Sequence, residues 1–291
     1  MRIKFGACAL LALIAAPAAA QTLTVEGVVS PAWVERAGAR LPVAVGMRLN
    51  DKDRVVTGAG SRLLLRMAEG SAVKLGENAT VALDGLADTK GAGSKRFVTA
   101  ALDVVRGAFR FTTGIFDNPP AGRDVKIKIR TVNAGIRGTD LWGKSDDTRD
   151  LVCLIEGKIS VAHAQTGEFP MADPLSFFVA PRDKKPLAVA PVDPKQLAEW
   201  AAETEIHPGS GGARRGGRIN VDAAVSTEQA AVRATQEKLR TAGYPAVMQT
   251  VKIEDRVRYR VRLQNFPTQQ DAAAAVKKLK ALGLAEAAIA K

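Results

Sequence analysis

Histidine and cysteine are almost missing from this chain, which has two of each. His163 and His207 lie in different segments, so neither a histidine-based triad nor a multi-histidine metal centre can be assembled. Cys8 falls in an N-terminal apolar run, and Cys153 sits between Val152 and Leu154 in a strand-like run, where it reads as a buried small hydrophobe. One cysteine outside the N-terminal run excludes an internal disulfide and a structural zinc site. The paired carboxylates that a wall hydrolase would need are not identifiable either. Beyond Ala20 no apolar run approaches the about 20 residues needed to cross a bilayer. These absences point to a non-enzymatic protein with no cofactor, no metal and no integral membrane segment.

Positive charge, by contrast, is in excess. The net charge is +12 at pH 7, which favours anionic polymers such as cell-wall glycan carrying free carboxylates, lipid headgroups or nucleic acid. Met1 to Lys4 is a short basic stretch, Phe5 to Ala16 is apolar, and Ala18-Ala19-Ala20 before Gln21 suits leader cleavage. Cleavage after Ala20 predicts an exported, periplasmic protein, removes Cys8, and argues against nucleic acid as the natural partner. Loss of Arg2 and Lys4 with the leader lowers the net charge to +10.

Residues 21–190 show short apolar runs (Leu41–Val45, Leu63–Leu65, Val73–Leu75, Thr80–Leu83, Arg96–Thr99) separated by Asn50-Asp51, Gly58–Gly60, Glu69-Gly70 and Gly76–Asn78. Strands at this spacing predict an all-β sandwich, roll or short solenoid. Lys90 to Lys95 reads as a hairpin tip that lacks the Gly-Lys-Ser/Thr of a phosphate loop, and Asp117 to Asp124 as a loop. The central stretch, Thr131 to Trp142 (TVNAGIRGTDLW), reads as a tight corner between core strands. Gly135 and Gly138 suit positive φ or close approach, Thr139 and Asp140 suit bonds to nearby amides, and Arg137 and Asp140 are spaced to pair across the corner. Nothing in it suggests catalysis.

That run, followed by the strand EGKISV (Glu156 to Val161), resembles the FecR domain. Val45 to Leu83 and VVRGAFRFTTG (Val104 to Gly114) extend the resemblance over about residues 30–165. The resemblance implies an envelope-facing β-domain used for binding and signalling, with Arg137, Gly138, Thr139 and Asp140 as a structural or interaction motif. Sigma-factor regulators of the family carry a cytoplasmic region and a transmembrane helix ahead of this domain, and neither is seen here.

Residues 191–216 read as a short helix and a flexible linker. Asp193 can cap a helix over 195–205 with Pro194 in its first turn, Leu197 and Trp200 share a face that should dock on the β-domain, and 207–217 (HPGSGGARRGG) has linker composition. Residues 217–291 repeat with an offset of 40: Glu237–Gly243 superposes on Lys277–Gly283. Helices over Thr227–Thr241 and Thr268–Leu282, with strands at 218–221, 246–253, 256–263 and 285–290, make a βαββαβ, ferredoxin-like pattern. Along 256–263, Tyr259, Val261 and Leu263 point to the helices, and Arg258, Arg260 and Arg262 point the other way, joined by Asn220 and by Asp222. The arginine row reads either as a solvated sheet face or as guanidinium forks for carboxylate and hydroxyl oxygens.

Tyr259 to Gly283, with KLRTAGYPA (Lys238 to Ala246), resembles the SPOR domain. The resemblance implies binding of peptidoglycan glycan strands stripped of stem peptides, at an open sheet face that here would hold Asn220, Arg258, Arg260 and Arg262. The sequence thus predicts a mainly β plus α+β chain that binds denuded glycan through its C-terminal domain and meets an unidentified envelope protein through its β-domain. The alternative is a periplasmic component of a FecR-type signalling system whose C-terminal domain binds protein.

Overall fold

The structure, a computed structural model, describes residues 23–90, 96–114, 122–253 and 255–290. The leader and its cleavage site, most of the 90–95 tip and the start of the 117–124 loop lie outside the described residues. Among the described residues no helix is long and apolar enough to cross a membrane.

The β-rich part opens with β1 (Leu23–Val29), β2 (Ala32–Arg36), β3 (Ala39–Pro42), β4 (Arg48–Leu49), β5 (Arg54–Thr57), β6 (Arg62–Met67) and β7 (Ala72–Leu75). Longer strands follow: β8 (Thr80–Lys90), β9 (Arg96–Thr112), β10 (Gly122–Ile129), β11 (Val132–Ser145) and β12 (Arg149–His163). β13 (Gly167–Met171), β14 (Ser176–Pro181) and β15 (Ala190–Pro191) precede helix α1 (Pro194–Ala202), after which comes β16 (Gly212–Arg214). These strands form one branching network whose main path runs β15-β14-β12-β11-β10-β9-β7-β6-β1-β16. β9 and β10 pair in parallel, and every other described pairing is antiparallel. The sheet closes over an apolar core in which Leu63, Leu65, Phe109, Phe111, Ile127 and Phe178 are all at most 1% exposed.

The three long strands change partners midway. β9 pairs β8 and β10 along its first half and β7 and β11 along its second. β11 pairs β10 through Val132–Ile136 and β9 through Asp140–Ser145, and β12 pairs β14 and then β13. Each strand therefore has to bend at its middle.

Composition misleads at 207–217. Ala213 is only 7% exposed, and Gly212–Arg214 pairs with Val29–Gly27 as the terminal strand of the sheet path. The glycines serve close approach rather than flexibility: a Cβ on Gly212 would lie 2.8 Å from Ile206 Cγ2. The helix expectation is met at its start, but the helix ends at Ala202 rather than running to residue 205. Asp193 accepts hydrogen bonds from the amides of Lys195 (2.9 Å) and Gln196 (3.2 Å), and Pro194 occupies the first turn.

The C-terminal part has β17 (Ile219–Ser226), α2 (Gln229–Thr241), β18 (Val247–Ile253), β19 (Arg256–Phe266), α3 (Gln269–Ala281) and β20 (Ala288–Ile289), with sheet order β18-β19-β17-β20. This is the expected βαββαβ arrangement. It is seated on the β-rich part, and one buried cluster continues from Leu23 and Phe178 into Val221, Val261 and Leu279. The Ala32 amide donates to Gly243 O (3.1 Å), Trp33 Nε1 donates to Thr241 O (3.1 Å), and Gly211 N donates to Asp271 Oδ1 (3.2 Å).

The internal repeat separates two duties of a helix-capping glycine. Gly243 and Gly283 follow α2 and α3 with φ of +84° and +86°. A Cβ on Gly243 would lie 2.6 Å from Trp33 Cε2, whereas the nearest atom to one on Gly283 is Lys238 Nζ at 3.7 Å. Gly283→Ala should cost about 1–2 kcal/mol, the left-handed backbone penalty alone. Gly243→Ala should cost more and shift Trp33 emission, as checked by thermal unfolding with tryptophan fluorescence.

A buried ion pair locks the far end of the sheet. Asp150, 0% exposed, accepts from Arg182 Nη1 (2.6 Å) and Nη2 (2.5 Å) and from the Thr131 amide (3.0 Å) and hydroxyl (2.5 Å). Burial pushes its carboxyl up, but the hydrogen bonds from Arg182, Thr131 and Ser145 outweigh that and hold it below the ordinary value. Its contribution is therefore fully present above about pH 4, the unfolded value, and disappears as pH falls through the lower native value. Asp150→Asn should lose about 3 kcal/mol at pH 7, and its deficit relative to wild type should shrink in acid denaturation profiles.

Candidate functional site

β19 carries the three candidate arginines on one side because its side chains alternate through Arg258–Leu263. Val261 (0%) and Leu263 (4%) are buried against the helices, with Tyr259 packed at the edge of the same core. Arg258, Arg260 and Arg262 take the opposite parity, and Arg256 extends the row. The neighbouring strands fix what lies beside them. β18 sets Val247, Gln249 and Val251 opposite Arg262, Arg260 and Arg258, and β17 sets Asp222 and Val225 opposite Arg262 and Arg260.

The arginines are not equivalent. Arg262 is 8% exposed and forms a two-pronged pair with Asp222, Nε to Oδ1 at 2.6 Å and Nη2 to Oδ2 at 2.9 Å. It is a structural cross-strand tie. Arg260 is half-buried, and its Nε donates to Gln249 Oε1 (3.0 Å), which leaves its Nη groups directed from a fixed stem. Arg258 Nε is shielded from solvent and has no described partner. Asn220 lies at a register shift between Ile219 and Val221, two residues from Asp222 on the same side of β17, and its carbonyl accepts from Ala290 N (2.9 Å). The structure thus gathers all four expected residues on one sheet but sets Arg262, a tie, apart from the half-buried Arg258, Arg260 and Asn220. Arg256, Gln249 and the valines Val225, Val247 and Val251 were not expected there. Sequence parity alone could have added Arg256; the others follow only from strand register.

The TVNAGIRGTDLW stretch differs more from expectation. It is no corner between strands but the middle of the single strand β11. Arg137 pairs Lys158, Asp140 pairs Glu156 and Leu141 pairs Leu154, so an extra residue on β11 is cancelled by one on β12 and the register resumes unchanged. At the centre Gly138 (φ +62°) faces Gly157 (φ +89°), and a Cβ on Gly157 would lie 2.2 Å from Gly138 O. Gly135, by contrast, has an ordinary φ and open space around it.

The side chains of the motif also find other partners than expected. The Arg137 side chain lies outside the described ones. Asp140 accepts two bonds from Arg110 (Nε 2.9 Å, Nη2 2.7 Å) and one from the Thr112 hydroxyl (3.2 Å). The Thr139 amide donates to Thr113 Oγ1 (2.9 Å) and its carbonyl accepts from Thr113 N (2.9 Å). Beyond the bend, Asp140, Trp142 and Lys144 share the outer face of β11. There Trp142 stacks on Trp200 of α1 with ring centroids 5.0 Å apart, Lys144 Nζ pairs with Glu203 (2.8 Å), and Arg110 Nη1 reaches Glu205 (3.3 Å), which also pairs with Lys74. Cys153 is beneath the same face, and burial, reinforced by the Asp140 charge, pushes its thiol up to about 12. It is no nucleophile.

Replacing Asp222 or Arg262 by alanine should destabilise the C-terminal domain by about 1–3 kcal/mol, since either change strands a mostly buried charge. Arg258→Ala should stay within about 0.5 kcal/mol of wild type. Chemical denaturation of the three variants checks the division.

Against known proteins, residues 53–160 match the family model described as FecR protein, and residues 216–290 match the SPOR domain. The search of curated proteins gives no match. Two crystal structures of a proposed anti-sigma factor from Parabacteroides distasonis ATCC 8503 are similar at 11% identity. One has a TM-score of 0.41, covering 70% of this chain and 96% of that one, and the other 0.40, covering 79% and 90%. The superposition is loose in both.

Proposed function

We propose that this chain, a FecR region followed by a SPOR domain, is an exported, non-enzymatic envelope protein that binds peptidoglycan glycan strands and presents its β-domain to an envelope protein partner. The observation that carries the reading is the SPOR match over 216–290 on a domain whose sheet sets out a row of arginines. The FecR match supports the signalling half.

The chemistry of the face favours a polyanionic sugar polymer. A stem peptide attached to glycan ends in an amide at the sugar's lactyl group, and its removal exposes a carboxylate there. Guanidinium forks take carboxylate oxygens two at a time. Arg258 and Arg260 are the residues available for this, with Asn220 and Gln249 offering amide contacts and Val225, Val247 and Val251 offering apolar surface to the sugar's C–H faces. Asp222 cancels the charge of Arg262, so that residue contributes by holding β17 to β19.

Mature protein, residues 21–291, should co-sediment with purified sacculi, and more so after amidase digestion. Arg258→Glu with Arg260→Glu should cut binding at least tenfold with the melting temperature unchanged, and binding should weaken with salt. Binding that is absent, or that ignores both digestion and the double substitution, would mean that the C-terminal domain meets protein rather than glycan.

A further inference from the structure

The segment that joins the two domains crosses the outer face of the β-sheet from one end to the other, since β15 and β16 are the first and last strands of the sheet path. Its two ends are firmly seated. Val192 is 8% exposed, Thr204 0% and Ile206 8%, and a Cβ on Gly76 would lie 2.9 Å from Glu203 O. The helix between them is different, for α1 contains no buried residue. Its nine residues are too few to be stable alone, so it is held by what it touches. Those contacts are the Trp200 stack on Trp142, the edge of Phe177 against Trp200 (5.8 Å), Leu197 on the same cluster, and Glu203 on Lys144.

Beneath α1 the sheet offers a built receptor for a helix. Trp142, Phe177, Val179 and Ile155 form an apolar floor, with Lys144 at one end as a cation. We propose that this surface is the partner-docking site of the β-domain, and that α1 is its resident occupant, displaced when the partner binds. The partner segment is an amphipathic helix with a bulky aromatic residue, an apolar residue three positions before it and a carboxylate three positions after it. The segment itself supplies that template in Leu197 and Trp200 of α1 and in Glu203 just past its end, and the positive Lys144 fixes the acidic end. Because α1 is tethered on both sides, it competes at an effective concentration on the order of millimolar. An external helix therefore binds only if it beats the tethered one. This deepens the partner half of the function proposed above, and its test uses no peptidoglycan, so either reading can fail alone.

The probe is a labelled peptide of residues 192–205, followed by fluorescence anisotropy against mature chain 21–291. Wild type should bind it at least tenfold more weakly than the Leu197→Ala, Trp200→Ala double variant, whose receptor is vacated. Adding Lys144→Glu to that variant should abolish binding, and a peptide carrying Glu203→Lys should restore it. The proposal is overturned if the double variant keeps a native unfolding transition yet does not bind. Equal binding to wild type and variant, or indifference to the Lys144 exchange, also overturns it, because the peptide is then held elsewhere. A double variant that does not fold overturns it as well, since α1 would be a required wall of the sheet.

Discussion

Two glycines facing each other across β11 and β12 set the geometry on which the β-domain depends. Gly138 and Gly157 are opposed, each with positive φ, and no side chain fits between Gly157 and the Gly138 carbonyl. The pair lets both strands bend together while the compensating bulges preserve their register. Without the bend, β11 could not pair with β10 on one side of its midpoint and β9 on the other, and β12 could not serve both β14 and β13. β9 solves the same problem at Gly107 (φ +89°), where the chain passes close over Ala79. Three of the stretches that carry the FecR resemblance, VVRGAFRF, IRGTDLW and EGKISV, each contain one of these glycines. What they share is bending, and the residues after the bend inherit their positions from it: Asp140, Trp142 and Lys144 on the outer face, Leu141 in the core.

Local features of the sequence translated well into structure, and features set by distant pairing did not. The Asp193 cap and the alternation of β19 depend on residues within one turn or one strand of each other. The arginine row was legible for that reason. Its internal division was not, because Asp222 and Arg262 are partners only through the β17–β19 register. Thr139 and Asp140 looked suited to local turn bonds and instead reach β9 and the residue just after it, 26 to 30 residues away in sequence. The glycine-rich run at 207–217 has the composition of a linker, yet close packing against β1 is the use to which its small residues are put. Composition reports what a backbone can do, and tertiary contacts decide which of those uses is realised.

The two domains are correspondingly less independent than a linker would make them. β16 ends the large sheet and is followed within a few residues by β17 of the small one. Trp33, bonded to Thr241 and packed on Gly243, closes the contact from the side of the β-domain, and Lys278, half-buried with its ammonium pushed down by burial and by Arg62, closes it from the other by donating to Ser30 O (3.4 Å). The repeat within the small domain has thereby become asymmetric: one helix end seats on a neighbour, and its counterpart faces outward.

The order of attachments along the connecting segment also determines how tension would travel. A pull on the C-terminal domain would be delivered first to the three-residue ladder between β16 and β1 and to the Trp33 contact. α1 lies upstream of that ladder, between the buried residues Val192 and Thr204. On that order the ladder would take strain before the aromatic stack over Trp142 does. The anchorage and the helix exchange proposed above would thus share one short segment without one disturbing the other.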